Sequence, residues 1–213
     1  MESLWIETTK NKSNFKTLNG NEETEICVIG GGLFGLTTAY YLTKCGKKVI
    51  VLEKGEIGSK VSGNTTGKIT SQHDLFYAHL IDDYGEEYAK KYLEANEKAI
   101  ENIKQIIKEE QIDCDFSMQK SYVYTTKEDE VLEIQKEVEA VNKLGKNAKF
   151  VDKIDLPIKI KGAIEFEGQA QFHPRKYMLG LANSIEKQNK IYQYTTVTDV
   201  EKNGEKYKVY TDK

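Results

Sequence analysis

Long apolar runs are missing from this 213-residue sequence. None approaches the ~20 residues that a membrane-spanning helix needs, so we expect no membrane-spanning segment and no membrane partner. The first 24 residues are polar and mixed in charge, without the apolar core of a signal peptide. We expect them to form an N-terminal arm (residues 1–24), with Trp5 and Ile6 as anchors onto the body.

Cysteine is also scarce. Cys27, Cys45 and Cys114 are widely spaced and odd in number. They form neither a disulfide framework nor a metal-binding motif, so we expect no metal and a cytoplasmic location. Cys27 lies in an apolar run and is expected to be a small core residue of a buried strand.

Positive charge is not concentrated anywhere in the chain. The net charge is −3, and Arg175 is the single arginine. Without a basic stripe, nucleic acid is not expected as a partner. Arg175 falls in the first turn of a predicted helix, where we expect it to be solvated. His79 is expected at the surface of a helix, and His173 to cap or pack at a helix start.

The stretch from Glu25 to Lys68 is the most informative part of the sequence. An apolar run at 26–29 predicts a strand, and residues 30–35 fit the spacing G-x-G-x-x-G. A helix-like run covers 36–42, and a second apolar run at 49–52 ends in Glu53. A strand, a tight turn, a helix, a strand and an acid in this order indicate dinucleotide binding.

Each residue of this pattern has a physical role. Gly30 permits the sharp turn, Gly32 lets a pyrophosphate approach the backbone, and Gly35 lets the helix pack close to the strand. The helix N-terminus offers free N–H groups and a positive dipole end. Glu53 lies 23 residues after Gly30, where a carboxylate can accept hydrogen bonds from both ribose hydroxyls. A glycine-rich turn that binds nothing would not need this acid.

The stretch from Glu56 to Gln72 is dense in Gly, Ser, Thr and Asn and therefore predicts a loop. A loop that leaves the second strand after the ribose acid lies beside the pyrophosphate. Its hydroxyls and N–H groups could hold phosphates or the next ring system. The alternative is an ordinary surface loop.

The remaining sequence predicts an interrupted α/β organisation. After one crossover the chain builds helices and antiparallel strands, and then returns with a helix and a short strand. The Asn203-Gly204 pair between two strands is typical of a hairpin. The predicted elements are a helical stretch at 74–111 broken near Gly85, a strand at 121–126, a helix at 127–144, a strand at 158–166, a helix at 174–188 and strands at 191–195, 196–202 and 206–211.

These residues resemble a known family. Ile26 to Glu53 together with Gly58 to Gly67 resemble the FAD-dependent oxidoreductases of the D-amino-acid-oxidase or glycine-oxidase type. The resemblance covers nearly the whole chain. The stretches Thr65–His73 and Gln169–Pro174 are similar to a bacterial subgroup that often carries a C-terminal Rieske iron–sulfur domain.

The resemblance implies FAD as the cofactor and names the residues that would hold it. Three glycines would hold the pyrophosphate, Glu53 the adenosine ribose, and the loop residues would line the flavin, with His73 following them. The backbone of Val197 would meet the adenine. The implied cofactor-binding residues are Gly30, Gly32, Leu33, Gly35, Glu53, Lys54, Ser62, Asn64, Thr65, Thr66, Gly67 and Val197.

The implied fold is a Rossmann-like FAD/NAD(P)-binding domain with an inserted, incomplete antiparallel α+β substrate domain. Residues 25–110 and 168–213 would form the FAD-binding domain, and residues 111–167 part of the substrate domain. The strands at Tyr122 and at 158–166 would begin the substrate-binding sheet. The family is longer than this chain, so we expect an N-terminal part that is incomplete and inactive alone.

The implied activity is hydride transfer from an amine, an amino acid or a related small-molecule substrate to the flavin. No residue identifies the substrate or a catalytic base. A missing C-terminal half or a Rieske domain would be the electron partner. Two alternatives stay open: a nicotinamide-dependent dehydrogenase, and a non-catalytic module that binds a nucleotide or a partner protein.

Overall fold

The computed structural model describes residues 3–10 and 12–213. Residues 1, 2 and 11 of the predicted arm lie outside this description. The chain forms two compact units. The first contains the residues up to Gly67, Ile106–Cys114 and His173–Lys213, and the second contains Lys68–Gln105 and Asp115–Phe172. Residues 68–105 thus group with the second unit, although the sequence had suggested one cofactor domain up to residue 110. Which unit serves cofactor and which serves substrate stays a prediction.

Helices and strands alternate along most of the chain. The helices are α1 (Leu4–Glu7), α2 (Leu33–Lys44), α3 (Tyr77–Tyr84), α4 (Glu86–Glu109), α5 (Val131–Lys143) and α6 (Pro174–Glu186). The strands are β1 (Ile26–Ile29), β2 (Val49–Leu52), β3 (Lys68–Ile69), β4 (Ser117–Thr125), β5 (Ala148–Val151), β6 (Gly162–Gln171), β7 (Lys190–Tyr192), β8 (Val197–Asn203) and β9 (Lys206–Thr211). A short 3-10 turn covers Val61–Asn64. Among the described residues, no helix is both long and apolar enough to cross a membrane.

A parallel sheet in the order β1-β2-β7 organises the first unit. Ile26 pairs with Val49, and Leu52 pairs with Tyr192. Helix α2 makes the crossover between β1 and β2, as the glycine pattern predicts. The return of the chain to this sheet at β7 is also confirmed.

Strand β1 lies at the end of this sheet and is less buried than predicted. Strand β2 is buried along its whole length, whereas three residues of β1 are half-buried and Ile29 is exposed. Cys27 is therefore half-buried, and the prediction of a fully buried core residue is wrong. Its partial burial still raises the pKa of the thiol, because the thiolate is poorly solvated there.

Helix α6 is the most deeply buried helix of the first unit. Its side chains Tyr177, Met178 and Leu181 are fully buried. The predicted hairpin is confirmed: β8 and β9 pair antiparallel, and Asn203 lies opposite Lys206. Gly204 has φ +64°, the left-handed conformation that the turn requires and glycine tolerates.

An antiparallel sheet organises the second unit, with β3, β6 and β4 in order and β5 also paired to β6. The antiparallel pairing of the two predicted strands is confirmed. Strand β6 begins four residues later than predicted and runs on to Gln171. Strands β3 and β5 were missed because neither segment contains a continuous apolar run like those of β1 and β2.

Helices α3 and α5 cover one face of this sheet. Their apolar residues pack on Ile164 and Phe166 of β6 and on Ala148 of β5. The prediction that Gly85 breaks the helical stretch is confirmed, since Gly85 ends α3 with φ +82°.

The buried face of α4 agrees only in part with the helical spacing of its sequence, which predicts packing of Tyr88, Tyr92, Ala95, Ala99, Ile103, Ile106 and Ile107. Ile106 is buried, and Tyr92, Ile103 and Ile107 are half-buried, whereas Tyr88, Ala95 and Ala99 are exposed. Ala89, Leu93 and Ile100 are buried as well. The face of a helix that packs depends on its partner elements, which the local pattern does not show.

Candidate functional site

The glycine turn joins β1 to α2 in the first unit. The N–H of Gly30 donates to Leu52 O at 2.8 Å, and its φ of +108° suits glycine. A Cβ on Gly35 would lie 2.0 Å from Gly30 O, so only glycine lets the helix pack this closely on the turn. A Cβ on Gly32 would lie 3.1 Å from Ser62 Oγ. The turn is therefore a narrow cradle of backbone.

The first turn of α2 leaves several N–H groups open. The first hydrogen bond of the helix runs from Leu36 N to Gly32 O at 3.0 Å. Within the described part of the chain, the N–H groups of Gly32, Phe34 and Gly35 have no protein acceptor. Unpaired N–H groups at the positive end of a helix dipole suit an anionic group such as a phosphate. The cradle therefore fits a pyrophosphate.

Glu53 follows β2 and turns its carboxylate back toward the glycine turn. Its Oε2 accepts from Gly31 N at 2.7 Å, and its Oε1 accepts from Gly55 N at 2.8 Å. The side chain is buried, yet each carboxylate oxygen retains acceptor capacity beyond one bond. The carboxylate thus fixes the turn and can still accept a hydroxyl donor.

Gly31 was not singled out from the sequence, although it is essential to this geometry. Its N–H binds Glu53, and a Cβ there would lie 2.4 Å from Ile57 Cδ1 and 2.9 Å from Glu53 Cβ. The signal was present, because Gly31 completes an uninterrupted run of three glycines. The G-x-G-x-x-G spacing leaves this position unspecified.

The loop over residues 58–67 lies directly against the glycine turn. The N–H of Gly58 donates to Gly31 O at 3.2 Å, and Ser62 Oγ accepts from Leu33 N at 3.2 Å. Asn64 donates its side-chain amide to Lys60 O at 2.7 Å. The side chains of Thr65 and Thr66 are exposed. The loop therefore presents hydroxyls to solvent next to the cradle.

The remaining predicted residues are Lys54, Gly67 and Val197. Lys54 is exposed, and Gly67 is buried with φ +75°. Val197 begins β8, two residues after Thr195, whose N–H donates to Glu53 O at 2.9 Å. The structure brings Gly30, Gly32, Leu33, Gly35, Glu53 and Ser62 together through direct contacts or tight packing. Their role in binding a cofactor stays a prediction.

Arg175 is fully buried, so the prediction of a solvated side chain is wrong. Its guanidinium donates to Thr9 Oγ1 at 2.7 Å and to Glu56 Oε1 at 2.5 Å. Those partners lie more than 100 residues away in the sequence, and no local pattern shows them. The structural role predicted for His173 is confirmed, because its Nδ1 accepts from Lys176 N at 3.2 Å and caps α6.

A polar cluster lies on the sheet of the second unit. Lys120 Nζ and Tyr122 OH each donate to the carboxylate of Glu165 at 2.8 Å. These two donors hold the pKa of Glu165 below its usual range. A pocket of about 220 Å³ is lined by Lys68, Gln171 and their neighbours on β4, including Lys120 and Tyr122. His73 is exposed and contacts Asn96.

Comparisons with known proteins agree with one another. A family model described as "DAO: FAD dependent oxidoreductase" matches residues 25–213. The chain is 38% identical to a Bacillus subtilis protein named as a Rieske 2Fe-2S iron-sulfur protein, YhfW, over 99% of this chain and 41% of the relative. It is 25% identical to gamma-glutamylputrescine oxidoreductase of Escherichia coli, over 93% of this chain and 48% of the relative.

The fold is similar to a solved structure as well. Glycine oxidase from Bacillus cereus superposes with a TM-score of 0.71 at 21% identity, over 89% of this chain and 53% of that one. Identity at this level shows the fold alone. The chain spans less than half the length of the two curated relatives it matches here.

Proposed function

Because the chain belongs to the DAO family of FAD-dependent oxidoreductases, whose model matches residues 25–213, we propose that its first unit binds FAD. One observation carries the proposal: Glu53 and Ser62 both meet the glycine turn at the N-terminus of α2. The unpaired N–H groups of Gly32, Phe34 and Gly35 therefore belong to a turn that both an acidic side chain and a polar loop contact. A nucleotide with a pyrophosphate and a ribose matches these three features.

In this proposal each group has one task. The open N–H groups of Gly32, Phe34 and Gly35 bind the pyrophosphate, which carries negative charge toward the positive helix end. Glu53 accepts from the adenosine ribose hydroxyls, and the backbone of Val197 faces the adenine, beside Lys54. The exposed side of the loop, at Asn64, Thr65, Thr66 and Gly67, lines the flavin.

The proposed activity is oxidation of an amine, an amino acid or a related compound. FAD supplies the hydride acceptor, while the protein supplies binding and orientation. The names of two similar proteins, glycine oxidase and gamma-glutamylputrescine oxidoreductase, support this substrate class. We place substrate recognition on the sheet of the second unit, where Lys120 donates to Glu165 and its ammonium group has further N–H donors for an anionic or carbonyl group.

The electron partner in this proposal is a Rieske domain or the C-terminal half of a longer protein. The similarity to a relative named as a Rieske protein, of which the chain covers 41%, supports this partner. We also propose a cytoplasmic location, consistent with three free cysteines. No observation favours nucleic acid as a partner.

A binding titration tests the proposal against its alternatives. Purified apoprotein is titrated with FAD, FMN and NAD⁺, and binding is followed by flavin fluorescence and by calorimetry. We expect FAD to bind at least about tenfold more tightly than NAD⁺, since each specific group of the flavin half contributes on the order of 1 kcal/mol. Tighter binding of NAD⁺ would favour a nicotinamide-dependent dehydrogenase.

A variant of the cradle makes this titration specific. Gly32→Ala places a methyl group where the pyrophosphate approaches, and its nearest neighbour is the movable Ser62 hydroxyl at 3.1 Å. We expect the fold to survive and the FAD affinity to drop about tenfold or more. Thr38→Ala, one turn along α2, is the control and should bind as the wild type does. Unchanged affinity in Gly32→Ala would contradict the proposed pyrophosphate site.

A further inference from the structure

The N-terminal arm lies against the loop over residues 58–67 within the first unit. Ser3 Oγ donates to Gly63 O at 2.6 Å, and Trp5 Nε1 donates to Thr65 O at 2.7 Å. A Cβ on Gly63 would lie 3.4 Å from Ile6 Cγ1, so α1 packs closely on the loop backbone. Two side chains of the arm thus hold two carbonyls of the loop.

Arg175 ties the same arm to the start of the loop segment. Its Nη1 donates to Thr9 Oγ1 at 2.7 Å and to Thr9 O at 3.1 Å. Its Nη2 pairs with Glu56 Oε1 at 2.5 Å, and its Nε reaches Ile57 O at 3.5 Å. Arginine suits this place, because its rigid fork of donors serves partners in several directions. The side chain is fully buried, so these bonds are shielded from water.

His173 contacts two residues of the arm, Thr8 and Trp5. Thr8 Oγ1 donates to Leu4 O at 2.7 Å, so the His173 Nε2–H donates to Thr8 Oγ1 at 2.9 Å. The Trp5 ring lies edge-on to the His173 ring, with centroids 4.9 Å apart. The indole is therefore oriented by packing on one side and delivers its N–H to the loop on the other.

The opposite side of the loop rests on the glycine turn. Gly58 N binds Gly31 O, and Ser62 Oγ accepts from Leu33 N. The loop is thus held between the turn and the arm. The family model matches residues 25–213, so the arm lies before the matched region.

We propose that the arm and Arg175 form a clasp that fixes the loop over residues 58–67 in the conformation that receives FAD. Trp5, Ser3 and Arg175 are positioning residues in this proposal, which rests on the proposed FAD binding. The clasp acts before the cofactor arrives: a loop already ordered by the arm loses less conformational entropy on binding. Without the clasp, the carbonyls of Gly63 and Thr65 are hydrated and the loop samples other conformations.

Trp5→Phe tests the clasp with little change in shape. The variant keeps an aromatic ring against His173 but removes the N–H that binds Thr65 O. Hydrogen exchange of the apoprotein, followed by mass spectrometry, should show faster exchange in peptides covering 58–67. FAD should then bind about three- to tenfold more weakly, the range expected for one lost hydrogen bond. Ser3→Ala removes the second bond and should act in the same direction.

Leu4→Ala is the matched control on the same helix. Leu4 is 65% exposed, and alanine favours the helix. Its exchange in residues 58–67 and its FAD affinity should equal those of the wild type. If Trp5→Phe does not fold, Ser3→Ala decides, since it removes a single hydroxyl, which donates to Gly63 O and also accepts from Trp5 N at the start of α1.

The outcomes separate the clasp from FAD binding itself. If the wild type does not bind FAD, the proposed function fails, and the clasp as a device for FAD fails with it, whatever the exchange data show. If the wild type binds FAD, and Trp5→Phe and Ser3→Ala both equal it in hydrogen exchange over residues 58–67 or in FAD affinity, the clasp proposal is wrong while the proposed FAD binding stands. Faster exchange together with weaker binding in both variants, and not in Leu4→Ala, supports it.

Discussion

At the scale of single residues, Glu53 links the sequence pattern to the proposed function. Its carboxylate is buried against Gly31 N and Gly55 N, which fixes its orientation. Its position was predicted from the spacing of strand, helix and strand. Its two backbone contacts were not, because spacing in the sequence says nothing about where a side chain turns.

Glu53→Gln tests the ribose contact. Glutamine keeps one acceptor oxygen for the turn, but its NH2 group would face the other backbone N–H, and the charge is lost. Hydrogen bonds to a charged acceptor are about twice as strong as neutral ones. We expect the dissociation constant for FAD to rise about tenfold, measured by fluorescence titration. Glu23→Gln, on the exposed segment before β1, should leave the affinity unchanged. Equal affinity of Glu53→Gln and wild type would remove Glu53 from the proposed site.

Gly31→Ala tests the packing of the turn independently of any cofactor. The new methyl group would lie 2.9 Å from Glu53 Cβ, which is fixed to the backbone and cannot move aside. We expect a loss of about 1–3 kcal/mol in the free energy of unfolding, measured by urea denaturation. In Gly55→Ala the nearest atom is Lys60 Cε at 3.1 Å, the end of a flexible side chain. That control should lose less, and a larger loss there than at Gly31 would contradict the geometry.

At the scale of elements, helix α3 depends on a side chain from another helix. Glu137 of α5 is buried and accepts from the N–H groups of Phe76, Tyr77 and Ala78, at 2.9, 2.8 and 2.7 Å. A carboxylate at this end also interacts favourably with the helix dipole. The sequence predicted the helix at 127–144, but no local pattern distinguishes Glu137 from the other acidic residues of this helix.

Glu137→Ala should therefore destabilise the protein strongly. Three N–H groups at the start of α3 lose their acceptor in a buried place, and we expect a loss of about 3 kcal/mol in the free energy of unfolding. Glu137→Gln retains one acceptor oxygen, so its loss in the free energy of unfolding should be smaller than that of Glu137→Ala. Glu139→Ala, on the exposed side of the same helix, is the control and should change stability by less than about 0.5 kcal/mol. Urea denaturation measures all three, and a loss below about 1 kcal/mol for Glu137→Ala would contradict the capping role.

Glu110 accepts hydrogen bonds from α2 and α6 in the first unit, and its titration makes the stability of the fold depend on pH. Ser184 Oγ donates to its carboxylate at 2.6 Å, and Tyr40 OH donates at 3.0 Å. These hydrogen bonds and nearby lysines hold the pKa of Glu110 below its usual range. Because the folded pKa lies below the unfolded one, the carboxylate stabilises the fold above the unfolded value of about 4.3. This stabilisation is lost as the pH falls through the folded pKa.

Glu110→Gln should accordingly lose about 1 kcal/mol of stability at neutral pH. The difference from the wild type should shrink when the pH is lowered below about 4. Urea denaturation at several pH values measures it, with the exposed Glu133→Gln as control. A difference that grows on acidification would have the wrong sign for this mechanism.

Secondary structure was predictable where a local pattern is strong. The glycine turn, the break at Gly85 and the hairpin at Asn203-Gly204 each depend on a residue with special backbone freedom, and all three are confirmed. Strands β3 and β5 were not predictable, because they form only through pairing with β6. The buried face of α4 was predicted only in part for a similar reason, since it depends on the elements that pack against the helix.

At the scale of the whole molecule, the family and the fold class followed from about 45 residues of sequence, Glu25 to Lys68. The family is confirmed by a family model that matches residues 25–213. The sequence predicts Trp5 and Ile6 as anchors of the arm, and their contacts with Thr65 O and with the backbone at Gly63 agree with this. The contacts of Arg175 could not have been predicted, because it meets its partners only after the arm, the loop and α6 have folded together. Long-range contacts of this kind leave no periodicity in a single sequence.

The central claim is that this chain binds FAD through the glycine turn, Glu53 and the loop over residues 58–67. The most direct test is the absorbance spectrum of the purified chain, with any cofactor released by denaturation and identified by mass spectrometry. The account predicts flavin absorption bands and FAD in a stoichiometric amount, either as purified or after FAD is added. A colourless protein whose spectrum and stability do not change when FAD is added would contradict it.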